Sequence, residues 1–187
     1  MESVLFVNAC VRKESRTKAL AEKLLNKLGE SYQEVVLKDI NFPVVNEEFL
    51  NQRERLVSEG DFDNPIFVYA RQFAAAHTIV IAAPYWDLSF PAMLKQYLEQ
   101  VSVVGVTFKY SEEGAPVSLC NAKRLFYVTT AGGDFTPEDY GFGYVKALAN
   151  GYFGIPEVIQ IKADGLDIYG ADVYSIINEA YNKIDLM

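Results

Sequence analysis

The chain has 187 residues, of which 50% are hydrophobic and 22% charged; this composition supports one folded domain with a sizeable core and excludes a disordered chain. Its 17 Lys and Arg residues against 25 Asp and Glu residues give a net charge of −8. Nucleic acid and anionic membranes are therefore not expected as main partners, because both bind basic surfaces. A small anion is compatible with this charge, since it needs only a local group of cations.

Nothing in the sequence predicts export or membrane insertion. Residues 1–7 have an acidic second position and a short apolar stretch, whereas a signal peptide has a basic start and a longer apolar region. No window approaches the roughly 18 consecutive apolar residues of a membrane-spanning helix. Two cysteines, Cys10 and Cys120, are too few for a disulfide framework. We expect a cytoplasmic protein in which residues 1–187 form a single domain.

Apolar runs typical of buried strands alternate with amphipathic segments typical of helices. Leu20, Leu24, Leu25 and Leu28, for example, fall on one face of a helix that Gly29 would end. In chain order the pattern predicts strand 4–7, helix 17–29, strand 34–37, helices 47–59 and 65–76, strand 78–83, helix 92–101, a β-hairpin near 106–119, strand 125–130, helix 144–152, strand 157–161 and helix 171–184. This alternation predicts an α/β domain whose parallel sheet is covered by helices on both faces.

Ligands of such sheets bind at the carboxyl ends of the strands, where the strand order reverses, so the loops after the first, third and fourth core strands are candidate binding elements. The first loop, residues 8–17, carries Arg12 and Arg16 in an otherwise acidic protein. Ser15 and Thr17 can cap the following helix, whose first N–H groups can bind an anion. Without glycine the loop is neither a Walker loop nor a dinucleotide fingerprint, which favours a phosphate monoester. A capped helix with solvated charges is the alternative interpretation.

The second candidate loop, residues 84–91, follows the most apolar strand and holds the chain's only tryptophan, Trp86, together with Tyr85 and Phe90. Prolines at both ends stiffen it. Backbone N–H groups beside aromatic surface suit a flat heteroaromatic ring. The alternative is aromatic packing beneath a surface loop.

The third candidate loop, residues 129–135, contains Gly132 and Gly133 directly after a buried strand. A glycine pair allows close approach of the backbone to a ligand, although it is also ordinary turn chemistry. The three loops together predict one crevice that contacts a phosphate, a ring and the edge of that ring.

In order, spacing and residue type these loops resemble the flavodoxin-like NAD(P)H-dependent flavin oxidoreductases, the group of FMN-dependent NADH:azoreductases and NAD(P)H:quinone oxidoreductases. The strongest stretch is 84–95, an aromatic loop that ends in Pro-x-x-Leu-Lys. The similarity continues through 105–114 and Lys123 to 130–133 and covers most of the chain. It implies a flavodoxin-like, doubly wound, five-stranded parallel sheet with strand order 2-1-3-4-5.

The resemblance also implies which residues hold the cofactor, FMN. The phosphate would lie on the first loop, where Ala9 replaces a serine often present in the family, so Arg12 would supply a replacement contact. The isoalloxazine ring would be flanked by the second loop and its pyrimidine edge by the third. The implied cofactor-binding residues are Arg12, Ser15, Arg16, Thr17, Pro84, Tyr85, Trp86, Asp87, Leu88, Thr130, Ala131, Gly132 and Gly133.

Family chemistry implies that NADH or NADPH reduces the flavin at N5 and that a small aromatic acceptor then takes two electrons. No side-chain acid or base and no metal is required for this chemistry. Quinones, azo dyes and nitroaromatics all suit a stacked cleft, and the sequence chooses neither among them nor between the two donors. The family implies a homodimer with the cleft at the subunit interface. Whether Tyr110 or residues 140–144 line that cleft is left open.

Two other functions compete with this interpretation. Cys10, Arg16 and Thr17 satisfy the Cys-x5-Arg-Ser/Thr pattern of low-molecular-weight phosphatases, in which a thiolate attacks phosphorus. Against this, the loop lacks glycine and places Glu14 beside the would-be phosphate, and the chain contains no Asp-Pro element that could act as general acid. Cys10 is therefore expected to be a small buried residue. The second alternative is a flavodoxin-like electron carrier, whose acidic surface would dock basic partners.

Overall fold

The computed structural model describes residues 3–187, in which strands and helices alternate as predicted. The strands are β1 (Val4–Asn8), β2 (Tyr32–Val36), β3 (Thr78–Ala82), β4 (Phe108–Tyr110), β5 (Pro116–Ser118), β6 (Arg124–Thr130) and β7 (Glu157–Ala163). The α-helices are α1 (Arg16–Leu28), α2 (Glu47–Glu59), α3 (Val68–Ala75), α4 (Ala92–Val101), α5 (Phe142–Gly151) and α6 (Val173–Asp185).

Five strands form a parallel sheet in the order β2-β1-β3-β6-β7. Counted along these core strands alone, this is the order 2-1-3-4-5, so the predicted fold class is confirmed. The two remaining strands, β4 and β5, form the predicted antiparallel hairpin. Because all five core strands run in one direction, the loops that follow them emerge at a single edge of the sheet.

The sheet has a hydrophobic cluster on each face, as expected for parallel strands that are buried on both sides. Successive residues of one strand serve opposite faces: Val4 and Phe6 pack with α1 and α6, whereas Leu5 and Val7 pack with α3, α4 and α5. A smaller cluster joins α2 to α3. The helices therefore cover both faces and leave the ends of the strands accessible.

Several boundaries differ from the predicted ones by a few residues. Strand β2 spans Tyr32–Val36 instead of 34–37. The sequence pattern does not predict its start, because Tyr32 and Gln33 lie exposed at the edge of the sheet and do not form a buried apolar run. The predicted helix 65–76 consists of a 3-10 turn, Pro65–Phe67, followed by α3. The side chain of Asn64 accepts the Ile66 N–H at 3.3 Å and so starts that separate turn.

In residues 3–187 no helix combines the length and the apolar character that a membrane crossing requires.

The buried leucine face of α1 is expected to stabilise the fold, and this can be tested by a substitution. Leu24 is 1% exposed in the cluster that joins α1 and α6 to the sheet. Leu24→Ala is expected to lower the free energy of unfolding by about 2–5 kcal/mol, because it removes buried methyl groups and leaves a cavity. Thermal unfolding should record a fall in Tm of about 2–4 °C per kcal/mol for a domain of this size.

The matched control is Leu50→Ala on α2, because Leu50 is 43% exposed. This substitution is expected to change stability by less than about 1 kcal/mol. An equal loss in both variants would contradict the assignment of Leu24 to the core.

Candidate functional site

A cleft of about 810 Å³ opens at the carboxyl ends of β1, β3, β6 and β7. All but three of the residues predicted to bind a cofactor line it. Those that do are Arg12, Ser15, Arg16, Thr17, Pro84, Tyr85, Trp86, Thr130, Ala131 and Gly132. The three predicted loops therefore meet in one crevice, although their residues lie far apart in the sequence.

The first loop turns directly from β1 into α1. The side chain of Asn8 accepts the Cys10 N–H at 2.9 Å and closes the turn after the strand. Ser15 has an extended conformation (φ −99°) and its Oγ accepts the Lys18 N–H at 3.2 Å, so it is the N-cap of α1. The positive end of the helix dipole thus faces the cleft, where it favours an anion.

Cations outnumber acidic residues at this end of the cleft, whose lining includes Arg12, Lys13, Arg16 and Lys18 together with Glu14, Glu22 and Asp167. Arg12 and Lys13 line it, and neither has a salt-bridge partner within residues 3–187. Arg16 pairs with Asp167 across the cleft at 2.8 Å, and both side chains remain substantially solvent-exposed. Because such a pair is stabilised only weakly, an incoming anion can compete for the guanidinium.

Thr17 lies at the floor of the cleft and is almost completely buried. Its Oγ1 is 2.6 Å from Oγ1 of Thr130, and either hydroxyl can donate. This bond fixes the first turn of α1 against the end of β6. It therefore joins the helix end that would bind an anion directly to the strand that leads into the third loop.

The second loop is tied to the sheet by the Tyr85 N–H, which donates to the Thr130 carbonyl at 3.0 Å. Trp86 and Ser89 then exchange two backbone hydrogen bonds, 3.1 and 2.8 Å long, around a two-residue turn. The central residues of that turn, Asp87 and Leu88, have φ of 50° and 68°. This left-handed conformation costs roughly 1–2 kcal/mol for a residue with a side chain.

Asp87, Leu88 and Gly133 are the three predicted residues that do not line the cleft. The first two form the tip of the turn beside Trp86, whose side chain is 38% exposed at the cleft. Gly133 lies behind Gly132, with its carbonyl accepting the Gly165 N–H at 2.9 Å. A role for these three residues in binding remains a prediction.

The loop after β7 adds Leu166 and Asp167, which the sequence analysis missed. Asp167 donates its N–H to the Gly132 carbonyl at 2.9 Å, and its carboxylate packs where a side chain at 132 would begin: a Cβ there would lie 2.5 Å from Oδ2. A side chain at position 132 would therefore displace the Asp167 carboxylate from its present position. The position of this loop in the chain could have predicted these residues, because the loop also follows the carboxyl end of a core strand.

The segment after the third loop is anchored to β7 by an ionic network. Thr136 Oγ1 donates to Asp164 Oδ2 at 2.7 Å, and Lys162 Nζ approaches both of them, at 3.0 and 2.8 Å. Burial disfavours the charged form of Asp164, but the hydrogen bonds from Lys162 and Thr136 outweigh it and lower the pKa of the carboxyl. The network anchors this segment, which also contacts the second loop where the Tyr140 carbonyl accepts a hydrogen bond from Ser89 Oγ.

Cys10 does not have the surroundings of a nucleophile. It is 3% exposed, and its Sγ lies 3.8 Å from the Ala82 carbonyl. Burial raises the pKa of this thiol, with Ser15 acting in the opposite direction. A phosphatase needs a lowered thiol pKa, so the geometry does not favour that function.

The remaining candidates lie outside the cleft. Tyr110 belongs to the β4–β5 hairpin and is 52% exposed, while Tyr140 is 60% exposed just before α5. Within residues 3–187 no three His, Cys, Asp or Glu side chains are grouped so that they could hold a metal ion.

Comparison with known proteins agrees with this architecture. A family model described as Flavodoxin-like fold matches residues 2–186. An FMN-dependent NADH:quinone oxidoreductase of Clostridium perfringens is 35% identical over 192 aligned residues, which cover 98% of this chain and 96% of that protein. The FMN-dependent NADH:quinone oxidoreductase 2 of Clostridium acetobutylicum is 34% identical, with 98% and 96% covered.

Solved structures show the same fold. An azoreductase from Bacillus anthracis superposes with a TM-score of 0.84 at 24% identity, covering 98% of this chain and 97% of that one. An FMN-dependent NADH-azoreductase of the same species, in complex with FMN, gives a TM-score of 0.82 at 23% identity, with 100% and 97% covered. The family match extends over nearly the whole sequence, and the chain therefore belongs to the Flavodoxin_2 family of proteins with a flavodoxin-like fold.

Proposed function

We propose that this protein binds FMN and transfers two electrons from NADH to a quinone-, azo- or nitroaromatic-type acceptor. The observation that carries the proposal is the cleft itself, which joins a cationic helix N-terminus to a rigid aromatic loop within about 810 Å³. Relatives at 35% and 34% identity are named FMN-dependent NADH:quinone oxidoreductases, which supports the cofactor, NADH as the donor and a quinone as the acceptor.

The phosphate end of the proposed site is the first turn of α1. The free N–H groups that follow the Ser15 cap and the side chains of Arg12 and Arg16 are donors that suit a phosphate dianion. Thr17 supports this turn from below through its bond to Thr130. Arg16 would exchange its exposed pair with Asp167 for a contact with the phosphate.

The ring end is formed by the second and third loops. Tyr85 and Trp86 offer aromatic surface beside Thr130, Ala131 and Gly132, and the Gly132 N–H donates no hydrogen bond within residues 3–187. We expect a planar ring at this end to be held by stacking and by backbone donors, without any charged side chain. Pro84 lines the cleft as well, whereas contacts of the ring with Asp87, Leu88 and Gly133 remain predictions.

FMN, when bound, supplies the hydride-accepting chemistry, so the protein needs to bind, orient and shield rather than to transfer protons itself. The two loops orient the ring and exclude water from one side of it. The N–H groups of Gly132 and Gly133 donate no hydrogen bond within residues 3–187 and would stabilise negative charge at the edge of a reduced ring. No acid or base from a side chain is assigned.

Two alternatives are less well supported. A single-electron carrier of the flavodoxin type would share the fold and the acidic charge of −8, but relatives named as NADH oxidoreductases favour an enzyme. A phosphatase would need the buried, protonated Cys10 as its nucleophile.

The proposal is tested by adding FMN to the purified protein. We expect a flavin absorbance spectrum that is bleached anaerobically by NADH and restored by a quinone. An electron carrier would take up FMN but would not be reduced by NADH directly. Failure to take up FMN would overturn the proposed function.

The phosphate site is tested by Arg16→Ala. Loss of a charge-assisted contact is expected to raise the Kd for FMN about 10-fold or more, because hydrogen bonds to charged groups contribute roughly 1.5–3 kcal/mol. The Kd for riboflavin, which lacks the phosphate, should not change. Titration followed by flavin fluorescence measures both constants.

Arg55→Ala on the exposed side of α2 is the matched control and should alter neither Kd. Equal weakening of FMN and riboflavin by Arg16→Ala would show that the arginine serves the ring or the fold instead of the phosphate.

We also propose that the protein is cytoplasmic and acts as a homodimer. The low cysteine content supports a cytoplasmic location. The dimer is supported by exposed aromatic side chains between β6 and α5, where Phe135 and Tyr140 are 75% and 60% exposed. Light scattering should give twice the 21.0 kDa mass of one chain. A monomeric mass at assay concentrations would contradict the dimer.

A further inference from the structure

We propose that residues 86–89 form a strained turn held in advance for the flavin ring, and that Ser89 is the positioning residue that keeps the turn in place. The inference rests on the proposed function, because the turn stands at the ring end of the proposed FMN site. It adds to that function a role for a residue outside the lining of the cleft and an explanation for an unfavourable backbone conformation.

The turn has the geometry of a tight two-residue hairpin loop with an unfavourable sequence. Both of its central residues have positive φ, as a type I′ turn requires, and such turns prefer Asn-Gly or Asp-Gly. Here leucine occupies the second position, where glycine would adopt φ 68° freely. Within residues 3–187, Asp87 and Leu88 are the only residues other than glycine with positive φ.

Folding alone does not account for leucine at position 88. Its side chain is 42% exposed, so core packing does not compensate for the backbone conformation. Strained backbone of this kind persists only where the surroundings hold it, and it concentrates at binding sites. The turn lies directly beside Trp86, which lines the cleft.

Ser89 connects the turn to a neighbouring segment through a side-chain hydrogen bond. Its Oγ donates to the Tyr140 carbonyl at 2.6 Å and links the second loop to the segment that precedes α5. That segment is itself anchored to β7 through the Thr136–Asp164 hydrogen bond. The turn is therefore connected at its base to the sheet through Tyr85 and on its side to an independently anchored segment.

The held turn carries two unbonded N–H groups at its tip, next to Trp86 at the edge of the cleft. The N–H groups of Asp87 and Leu88 donate no hydrogen bond to the described part of the chain. A turn that is already ordered loses little conformational entropy when a ring docks against it. The cost of the unfavourable backbone conformation therefore lowers the stability of the free protein and does not weaken binding. Relaxing the turn should then improve folding and weaken binding, two effects of opposite sign.

The experiment compares Leu88→Gly and Ser89→Ala with the wild-type protein. Leu88→Gly relieves the left-handed strain, so the Tm of the apoprotein should be unchanged or higher while the Kd for FMN rises several-fold. Ser89→Ala should raise the Kd about 2- to 10-fold, the effect of one ordinary hydrogen bond, with little change in Tm. Ser89→Thr keeps the hydroxyl and should restore affinity.

Riboflavin separates this effect from the phosphate site. Both variants should weaken riboflavin as much as FMN, and they should shift the absorbance bands of the bound ring. The matched control is Leu119→Gly, since Leu119 is 38% exposed but has no positive φ. That variant should lower the Tm and leave both Kd values unchanged.

The outcomes distinguish the two proposals. A wild-type protein that takes up no FMN overturns the proposed function itself. A wild-type protein that binds FMN, with Leu88→Gly and Ser89→Ala binding equally tightly, overturns only the role of the turn. Parallel losses of Tm and affinity in Leu88→Gly would also overturn it, because the turn would then serve folding.

Discussion

Burial of both faces of the parallel sheet is the constraint on which the rest of the structure depends. Leu5 and Phe6, adjacent in β1, belong to two different cores, so the central strands β1, β3 and β6 must be covered by helices above and below. Polar and glycine-containing segments are thereby confined to the ends of the strands. Since the strands are parallel, the loops after β1, β3, β6 and β7 all open at one edge and form a single cleft.

Electrostatics within that cleft differ from those of the chain as a whole. The net charge is −8, yet the N-terminus of α1 brings Arg12, Lys13 and Arg16 together with a capped helix end. The acidic surroundings discourage polyanions, while one phosphate group finds local donors. Asp167 neutralises Arg16 in the free protein at the low energetic cost of an exposed pair. The charge of Arg16 is thus balanced in the free protein, and the arginine can still bind an anion.

Rigidity at the ring end is obtained differently. Hydrogen bonds from Tyr85 to Thr130 and from Ser89 to Tyr140 connect the second loop to elements that are themselves anchored. The left-handed turn at Asp87 and Leu88 is a local conflict between residue preference and conformation in a chain whose other elements agree with their sequence. Such conflicts are expected where binding, and not folding, selects the conformation.

Periodicity and turn chemistry by themselves determined the α/β class, the five core strands and three of the loops that form the cleft. These features depend on local sequence, because burial on two faces produces continuous apolar runs and the caps are read from single residues such as Ser15 and Gly29. Only the tertiary structure decided that Asp167 crosses the cleft to Arg16, that Gly132 makes room for it, and that Ser89 bonds to Tyr140. Each of these contacts joins segments distant in the chain, and their distances follow from packing and strand order, which no single stretch of sequence records.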